Sequence, residues 1–137
     1  MSRSGYSDDM EDTWQWIMWR GRVSSSIRGK RGQKLLKELL VALDALPEKK
    51  LAPNELQTPN NEFCALGALG NYKGFDLSDL NTSSLANKFD VADPLIREIV
   101  YMNDEGVDNY STVNNNRDEA RWKFMREWVI SNILEKK

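Results

Sequence analysis

Apolar residues recur every three or four positions along much of the chain, which is the period of an α-helix with one buried face. The longest regular stripe lies in QKLLKELLVALDAL, residues 33–46, and consists of Leu36, Leu39, Leu40, Leu43 and Leu46. Pro47 follows directly, and proline cannot continue a helix interior. The pattern therefore predicts a helix over about 33–46.

The same period predicts helices at both ends of the chain. The amino-terminal stripe is Trp16, Trp19, Val23 and Ile27, and the carboxyl-terminal stripe is Trp122, Met125, Val129 and Ile133. Gly21 and the serines at 24–26 lower the helix propensity of the first stripe. We predict helices from Trp14 and over about 117–135, with a break at RGKRG, residues 28–32.

Capping residues mark two further helices. Asp93 is placed as an N-cap, with Pro94 at the first helical position, and together they predict a helix over about 93–103. The stretch CALGALGNYKG predicts a short helix that starts near Cys64 and ends at Gly74 in a left-handed cap.

The region between these elements is dominated by turn residues. Residues 48–62 contain two prolines and three asparagines and have no helical period. Short strands at about 50–56 and 62–64 could pair as one β-hairpin. A short helix is predicted around 83–89.

These elements predict a mainly α fold in a single small domain of four to five helices, residues 13–137, with at most a token hairpin near 50–64. Residues 1–12 form a flexible acidic arm in this prediction. No apolar run approaches the roughly 20 residues that a membrane span needs. Since the chain also has a single cysteine and a polar start, we expect a cytoplasmic protein that does not bind membranes.

The absence of histidine changes the candidate chemistry most. The 137 residues contain no histidine and one cysteine. Ser-His-Asp and Cys-His catalysis, and every zinc or iron site that needs histidine or several cysteines, are excluded within this chain. A hard cation such as Mg²⁺ bound by carboxylates stays open. We predict no cofactor.

Charge is distributed unevenly along the chain. The net charge is only −2, but residues 13–37 contain seven basic residues and no acidic residue. A basic segment with interleaved tryptophan and glycine can bind phosphates or an acidic partner, or it can pair with the acidic remainder of the protein. The residues that we select as a partner-binding surface are Arg20, Arg22, Arg28, Lys30, Arg31 and Lys34.

The stretch EFCALGALG, residues 62–70, contains the only cysteine. A thiolate nucleophile at Cys64 needs a stabilising cation or helix N-terminus and a base, and no histidine can supply the base. The alternative is a small buried side chain. Gly67 and Gly70 lie three apart, so one helix face is nearly bare backbone that another helix or a ligand must approach closely.

The stretch MNDEG, residues 102–106, raises a parallel question. Asn103, Asp104 and Glu105 could coordinate a cation or cap a neighbouring helix. Carboxylates at a helix C-terminus are electrostatically unfavourable, so something should compensate them. The nearest candidates are the backbone N–H groups at the start of the Cys64 helix and the basic segment, and we favour the internal capping role.

Together these two motifs resemble a family of small phage and prophage proteins. The resemblance rests on Cys-Ala-Leu-Gly-Ala-Leu-Gly, followed about thirty residues later by Tyr-Met-Asn-Asp-Glu-Gly. The segments WRGRVSSSIRGKRGQKLLKELLVALDALPEKKL and RWKFMREWV are similar to the same group, so that the resemblance covers roughly residues 12–132. A looser set of bacterial and phage proteins shares only Cys-x-x-Gly-x-Leu and Asn-Asp-x-Gly. The Asn-rich loop 108–116 departs from the apparent relatives.

The resemblance implies a phage accessory protein in the host cytoplasm and assigns no catalytic role to the motif residues. Our leading hypothesis is stoichiometric binding to a host protein or protein–nucleic acid complex, which would inhibit a defence system such as a CRISPR complex. One alternative is a nucleic-acid-binding or nucleotide-binding protein that uses the basic segment 20–37. Another is an enzyme that uses Cys64 or the pair Asp104 and Glu105.

Overall fold

The computed structural model describes residues 13–77, 82–106 and 117–134, and within these ranges the chain forms helices and no β-strand. The helices are α1 (Thr13–Arg28), α2 (Lys30–Ala45), α3 (Ala65–Tyr72), α4 (Thr82–Phe89), α5 (Asp93–Glu105) and α6 (Arg117–Asn132). The predicted mainly α fold is confirmed. The described residues form six helices rather than four to five, because the two short predicted helices both form, as the eight-residue helices α3 and α4. The predicted arm 1–12 and the loop 108–116 lie outside the described residues.

The boundary between α1 and α2 is a single residue, Gly29, rather than the whole of 28–32. Gly32 lies inside α2, and a Cβ atom there would overlap the carbonyl oxygen of Ser26 in α1. The glycine that suggested a break in the sequence therefore allows two helices to approach each other closely. The predicted start of the second helix was three residues too late.

Helix α2 lies at the centre of the core and packs against α1, α3 and α6. From its leucine stripe, Leu36, Leu39 and Leu43 are fully buried, whereas Leu40 and Leu46 are only partly buried at the edge of the core. Helix α5 completes the core by packing against α1, α3 and α4. This arrangement leaves one side of α1 and one side of α2 facing solvent.

The predicted hairpin is reduced to one isolated antiparallel bridge between Gln57 and Phe63. Asn54 and Asn61 adopt left-handed backbone conformations (φ 72° and 63°), which interrupt an extended strand. Some backbone groups still pair within the segment, as Ala52 N does with the Phe63 carbonyl oxygen at 2.8 Å, and others bind elsewhere. Leu51 N, for example, donates to the carbonyl oxygen of Asp118, 3.0 Å away.

Two helix ends test the capping predictions. Gly74 follows α3 with φ 82°, as the left-handed cap requires. Asp93 is the first residue of α5 rather than its N-cap, which is Ala92, so the predicted start was one residue off. Asp93 instead forms an ion pair with Arg97 one turn later, at 2.8 Å. Among the described helices, none is long and apolar enough to cross a lipid bilayer.

Candidate functional site

The two sequence motifs meet at the start of α3. Cys64 is the N-cap of this helix, and its buried Sγ accepts a hydrogen bond from the Gly67 amide at 3.3 Å. The side chain of Asn103, at the end of α5, supplies a second cap, because its Oδ1 accepts from the Ala65 amide at 3.0 Å. Two of the amide groups that a helix start leaves unpaired are thereby satisfied.

Asn103 also fixes the segment that precedes α3. Its Nδ2 donates to the carbonyl oxygen of Ala52 at 3.0 Å and to Asp104 Oδ1 at 2.9 Å. Asp104 Oδ1 in turn accepts from the Asn54 amide at 3.0 Å. Asn103 is 1% exposed, so its bonds to Ala65 and Ala52 form away from water, whereas the bond between Asn54 and Asp104 is exposed. We call this hydrogen-bonded group, Cys64, Asn103 and Asp104, the motif junction.

The bare face of α3 is covered by the protein's own chain. A Cβ atom at Gly67 would overlap the backbone carbonyl oxygen of Leu56, which also accepts from the Cys64 amide at 3.3 Å. At Gly70, the approaching group is the side chain of Leu77. A loop segment and a side chain therefore take the place that the sequence left open to a helix or a ligand.

Arg121, which the sequence analysis did not select, extends the motif junction to α6. Its Nε donates to the Asn103 carbonyl oxygen at 2.8 Å and its Nη1 to the Leu51 carbonyl oxygen at 3.1 Å. Burial lowers the pKa of this guanidinium, while the charge of Asp118, 3.0 Å away, acts in the opposite direction. Its cation lies at the C-terminal end of α5, where its charge interacts favourably with Asp104 and supplies the compensation expected for that carboxylate.

A signal for Arg121 was present in the sequence. It stands four and eight residues before Met125 and Val129, so it belongs to the buried stripe of α6. An arginine on such a stripe needs internal acceptors. In the described part of the chain, every buried side-chain nitrogen or oxygen has a hydrogen-bond partner, and no cluster of three metal-ligating side chains occurs.

The basic segment divides into internally paired and outward-facing residues. Arg20 donates to both carboxylate oxygens of Glu98 at 2.6 and 2.9 Å, and Glu98 is only 1% exposed. Arg20 therefore neutralises a buried carboxylate between α1 and α5. Arg31 pairs with Asp90 at 3.2 Å on the surface. Neither Arg20 nor Arg31 is among the residues that line the depression on the neighbouring face of α2.

Four other cations of the segment line an open depression of about 560 Å³. We call these four exposed residues the basic surface: Arg28, Lys30, Lys34 and Lys37. The three lysines follow the spacing i, i+4, i+7 and therefore share one face of α2. Glu38 also lines the depression, but it accepts hydrogen bonds from Lys73 at 3.1 and 3.2 Å.

Gln33 holds the floor of this depression in place. Its Nε2 donates to the carbonyl oxygens of Ile27 and Asn132 at 2.8 and 3.0 Å, and its Oε1 accepts from the Leu134 amide at 2.9 Å. The ends of α1 and α6 are thereby joined to the start of α2. The basic surface is consequently built on three connected helices, which limits its freedom to rearrange.

Arg22 lies apart from the depression. Its guanidinium stacks over the ring of Trp19 at 5.3 Å from the centroid, and Arg97 approaches the same ring at 5.8 Å. Arg22 is exposed and stays a predicted partner-binding residue.

No family model, curated protein or solved structure matches the chain. The resemblance to small phage and prophage proteins therefore rests on the two motifs and on the similar segments near both ends of the chain, and it stays a prediction.

Proposed function

We propose that the protein is a phage-encoded accessory protein that binds a host protein or protein–nucleic acid complex stoichiometrically in the host cytoplasm. The observation that carries this proposal is the basic surface, where four exposed cations line one depression in a protein of net charge −2. Glu38, the carboxylate among the residues that line this depression, is bound to Lys73. An anionic surface on a partner is the complement that this arrangement fits.

A host defence complex such as a CRISPR effector is the partner that we favour within this class. A protein–nucleic acid complex presents both carboxylates and phosphates, and lysine and arginine side chains bind either group. The resemblance of the two motifs to phage and prophage proteins supplies the biological setting. In this proposal the motif junction supports the fold, and the basic surface makes the contact.

The test reverses charge at the basic surface without weakening the fold. Lys30 is the first residue of α2, where an acidic side chain interacts favourably with the helix dipole, so Lys30→Glu/Lys34→Glu should fold normally. The matched control is Lys88→Glu/Lys123→Glu, which changes the net charge equally at exposed positions on α4 and α6.

Tagged wild-type protein and both variants are used to recover partners from host-cell extract. We expect the wild type and the control to retain a partner at near-equal molar ratio, and the basic-surface variant to recover at least about tenfold less of it, as loss of roughly 1.4 kcal/mol implies. Equal recovery by the folded basic-surface variant would remove this surface from the proposal.

Direct binding of nucleic acid or a nucleotide is the second candidate, and the helical spacing of the three lysines favours it. Binding to duplex phosphates falls log-linearly with salt, with a slope of about −0.9 per phosphate contact, so four contacts imply a loss of roughly 100-fold between 50 and 200 mM salt. A packed protein interface should lose much less over the same range. A salt titration of the recovered complex, with and without nuclease, therefore separates the two candidates.

A further inference from the structure

The outward side of α1 carries large apolar side chains. Trp14, Ile17 and Met18 are 67%, 56% and 53% exposed, and their spacing of three and one places them on one side of the helix. The opposite side holds the buried residues Val23 and Ile27. We call Trp14, Ile17 and Met18 the α1 stripe. Large exposed apolar groups at helical spacing are typical of a binding face.

The α1 stripe continues into the basic surface. Gly21 and Ser25 follow on the same side of the helix at the next turns, and both are exposed. The next position on this side is Arg28, which lines the depression of the basic surface. The helix spans about 21 Å from Trp14 to Arg28. One continuous surface is therefore apolar at one end and basic at the other.

The charge of this surface limits the kinds of partner that can bind it. A second copy of this chain that presented the same face would bring its own cations, including Arg28 and Lys34, against those of the surface. A bilayer would favour cations distributed along the whole polar side of the helix. Here the charge is graded along the axis, since Arg20 is bound to Glu98, Arg22 stacks on Trp19, and the cations that line the depression begin at Arg28.

Gly21, in the middle of this surface, favours a helix as the partner. A Cβ atom at Gly21 would meet nothing within 4 Å. The packing of the protein itself therefore does not require glycine at this position. A small residue between two contact zones allows a partner helix to approach the backbone of α1 closely.

We propose that the α1 stripe and the basic surface together bind one amphipathic helix of a partner protein. Its apolar end packs on Trp14, Ile17 and Met18, and its acidic end lies over Arg28 and Lys34. This inference rests on the proposed function and specifies the partner's chemistry.

A synthetic helical peptide of about 18 residues provides the probe, with leucines on one side of its first half and glutamates on the same side of its second half. A second peptide carries lysine in place of glutamate. Fluorescence anisotropy measures binding of each labelled peptide. We expect saturable binding of the leucine–glutamate peptide and at least about tenfold weaker binding of the leucine–lysine peptide.

Three variants locate the contact. Ile17→Ser/Met18→Ser removes apolar area from the α1 stripe, and Gly21→Gln inserts a side chain that the fold accommodates and the partner helix would meet. Each should weaken peptide binding by at least about tenfold, whereas Tyr72→Ser, which removes an exposed apolar side chain from α3, should leave it within about twofold.

No binding of the leucine–glutamate peptide at about 1 mM, or equal binding by folded α1 variants, overturns the inference. Binding of phosphatidylserine vesicles through the α1 stripe, with no peptide binding, replaces the partner helix by a membrane surface and also overturns it.

Recovery from host extract distinguishes failure of this inference from failure of the proposed function. Loss of the partner by Lys30→Glu/Lys34→Glu, with full recovery by Ile17→Ser/Met18→Ser, removes the α1 stripe and leaves the proposed function standing. Full recovery by both variants overturns both proposals.

Discussion

Removing the side chain of Asn103 should destabilise the protein more than its size suggests. In Asn103→Ala, the Ala65 amide loses its acceptor and the Ala52 carbonyl loses its donor. Ala65 and Ala52 are 0% and 4% exposed, so water does not readily replace either bond. The variant therefore tests whether the motif junction holds α3, α5 and the segment 51–57 together.

The expected magnitude follows from these two bonds. A buried donor or acceptor that loses its partner costs about 1–3 kcal/mol, so Asn103→Ala should lower the free energy of unfolding by roughly 2–6 kcal/mol. Domains of this size have a total free energy of unfolding of about 5–15 kcal/mol. Asn103→Asp should be at least as damaging although it is isosteric, because its carboxylate faces the Ala52 carbonyl and Asp104 Oδ1 without a proton to donate.

Urea denaturation followed by circular dichroism measures this loss, with Asn71→Ala as the control. Asn71 is exposed on α3, so its replacement should change the free energy of unfolding by less than about 0.5 kcal/mol. A loss below about 1 kcal/mol in Asn103→Ala, at unchanged denaturant slope, would refute the structural role of the junction.

Two further substitutions test other parts of the account. Gly67→Ala places a methyl group on the Leu56 carbonyl and should lower the free energy of unfolding by at least about 1–3 kcal/mol. Gly21→Ala enters open space in a helix and should raise the free energy of unfolding by up to about 1 kcal/mol. Thermal denaturation of the two variants measures both changes. Arg126 lowers the pKa of Asp44 from its ordinary value of 3.8, so the ion pair contributes stability above that value and loses it as pH falls through the lower, folded-state pKa. Asp44→Asn should therefore lower the free energy of unfolding by at most about 1 kcal/mol near neutral pH, since the pair is half exposed. The difference in free energy of unfolding between this variant and the wild type should vanish in acid, and a constant difference across a pH series would contradict this.

Local patterns predicted the helices well because the buried faces repeat at the helical period. The stripe from Leu36 to Leu43 and the stop at Pro47 describe α2 closely. Gly32 was misassigned as part of a break because its role, close approach to Ser26, depends on how two helices pack. The segment 50–64 pairs through scattered backbone bonds, such as Ala52 N to Phe63 O, but lacks a ladder because Asn54 and Asn61 adopt left-handed conformations that interrupt the strands.

The site was predictable only in part for the same reason. Arg20 looked like a surface cation, yet its partner Glu98 lies 78 residues away and is buried, which no local pattern indicates. Arg121 carried a signal in its position on an apolar stripe. Lys30 and Lys34 were selected from the run of basic residues, but their shared helix face was not predicted, because Lys30 lay in the predicted break at 28–32 and Lys37 was not selected.

The most direct test of the central claim, that this molecule acts through an exposed cationic face, is the molar ratio of partner retained by each charge variant. Lys30→Glu/Lys34→Glu should retain at least about tenfold less partner than Lys88→Glu/Lys123→Glu, at equal folded content measured by circular dichroism. Equal partner ratios for the two folded variants would contradict the account.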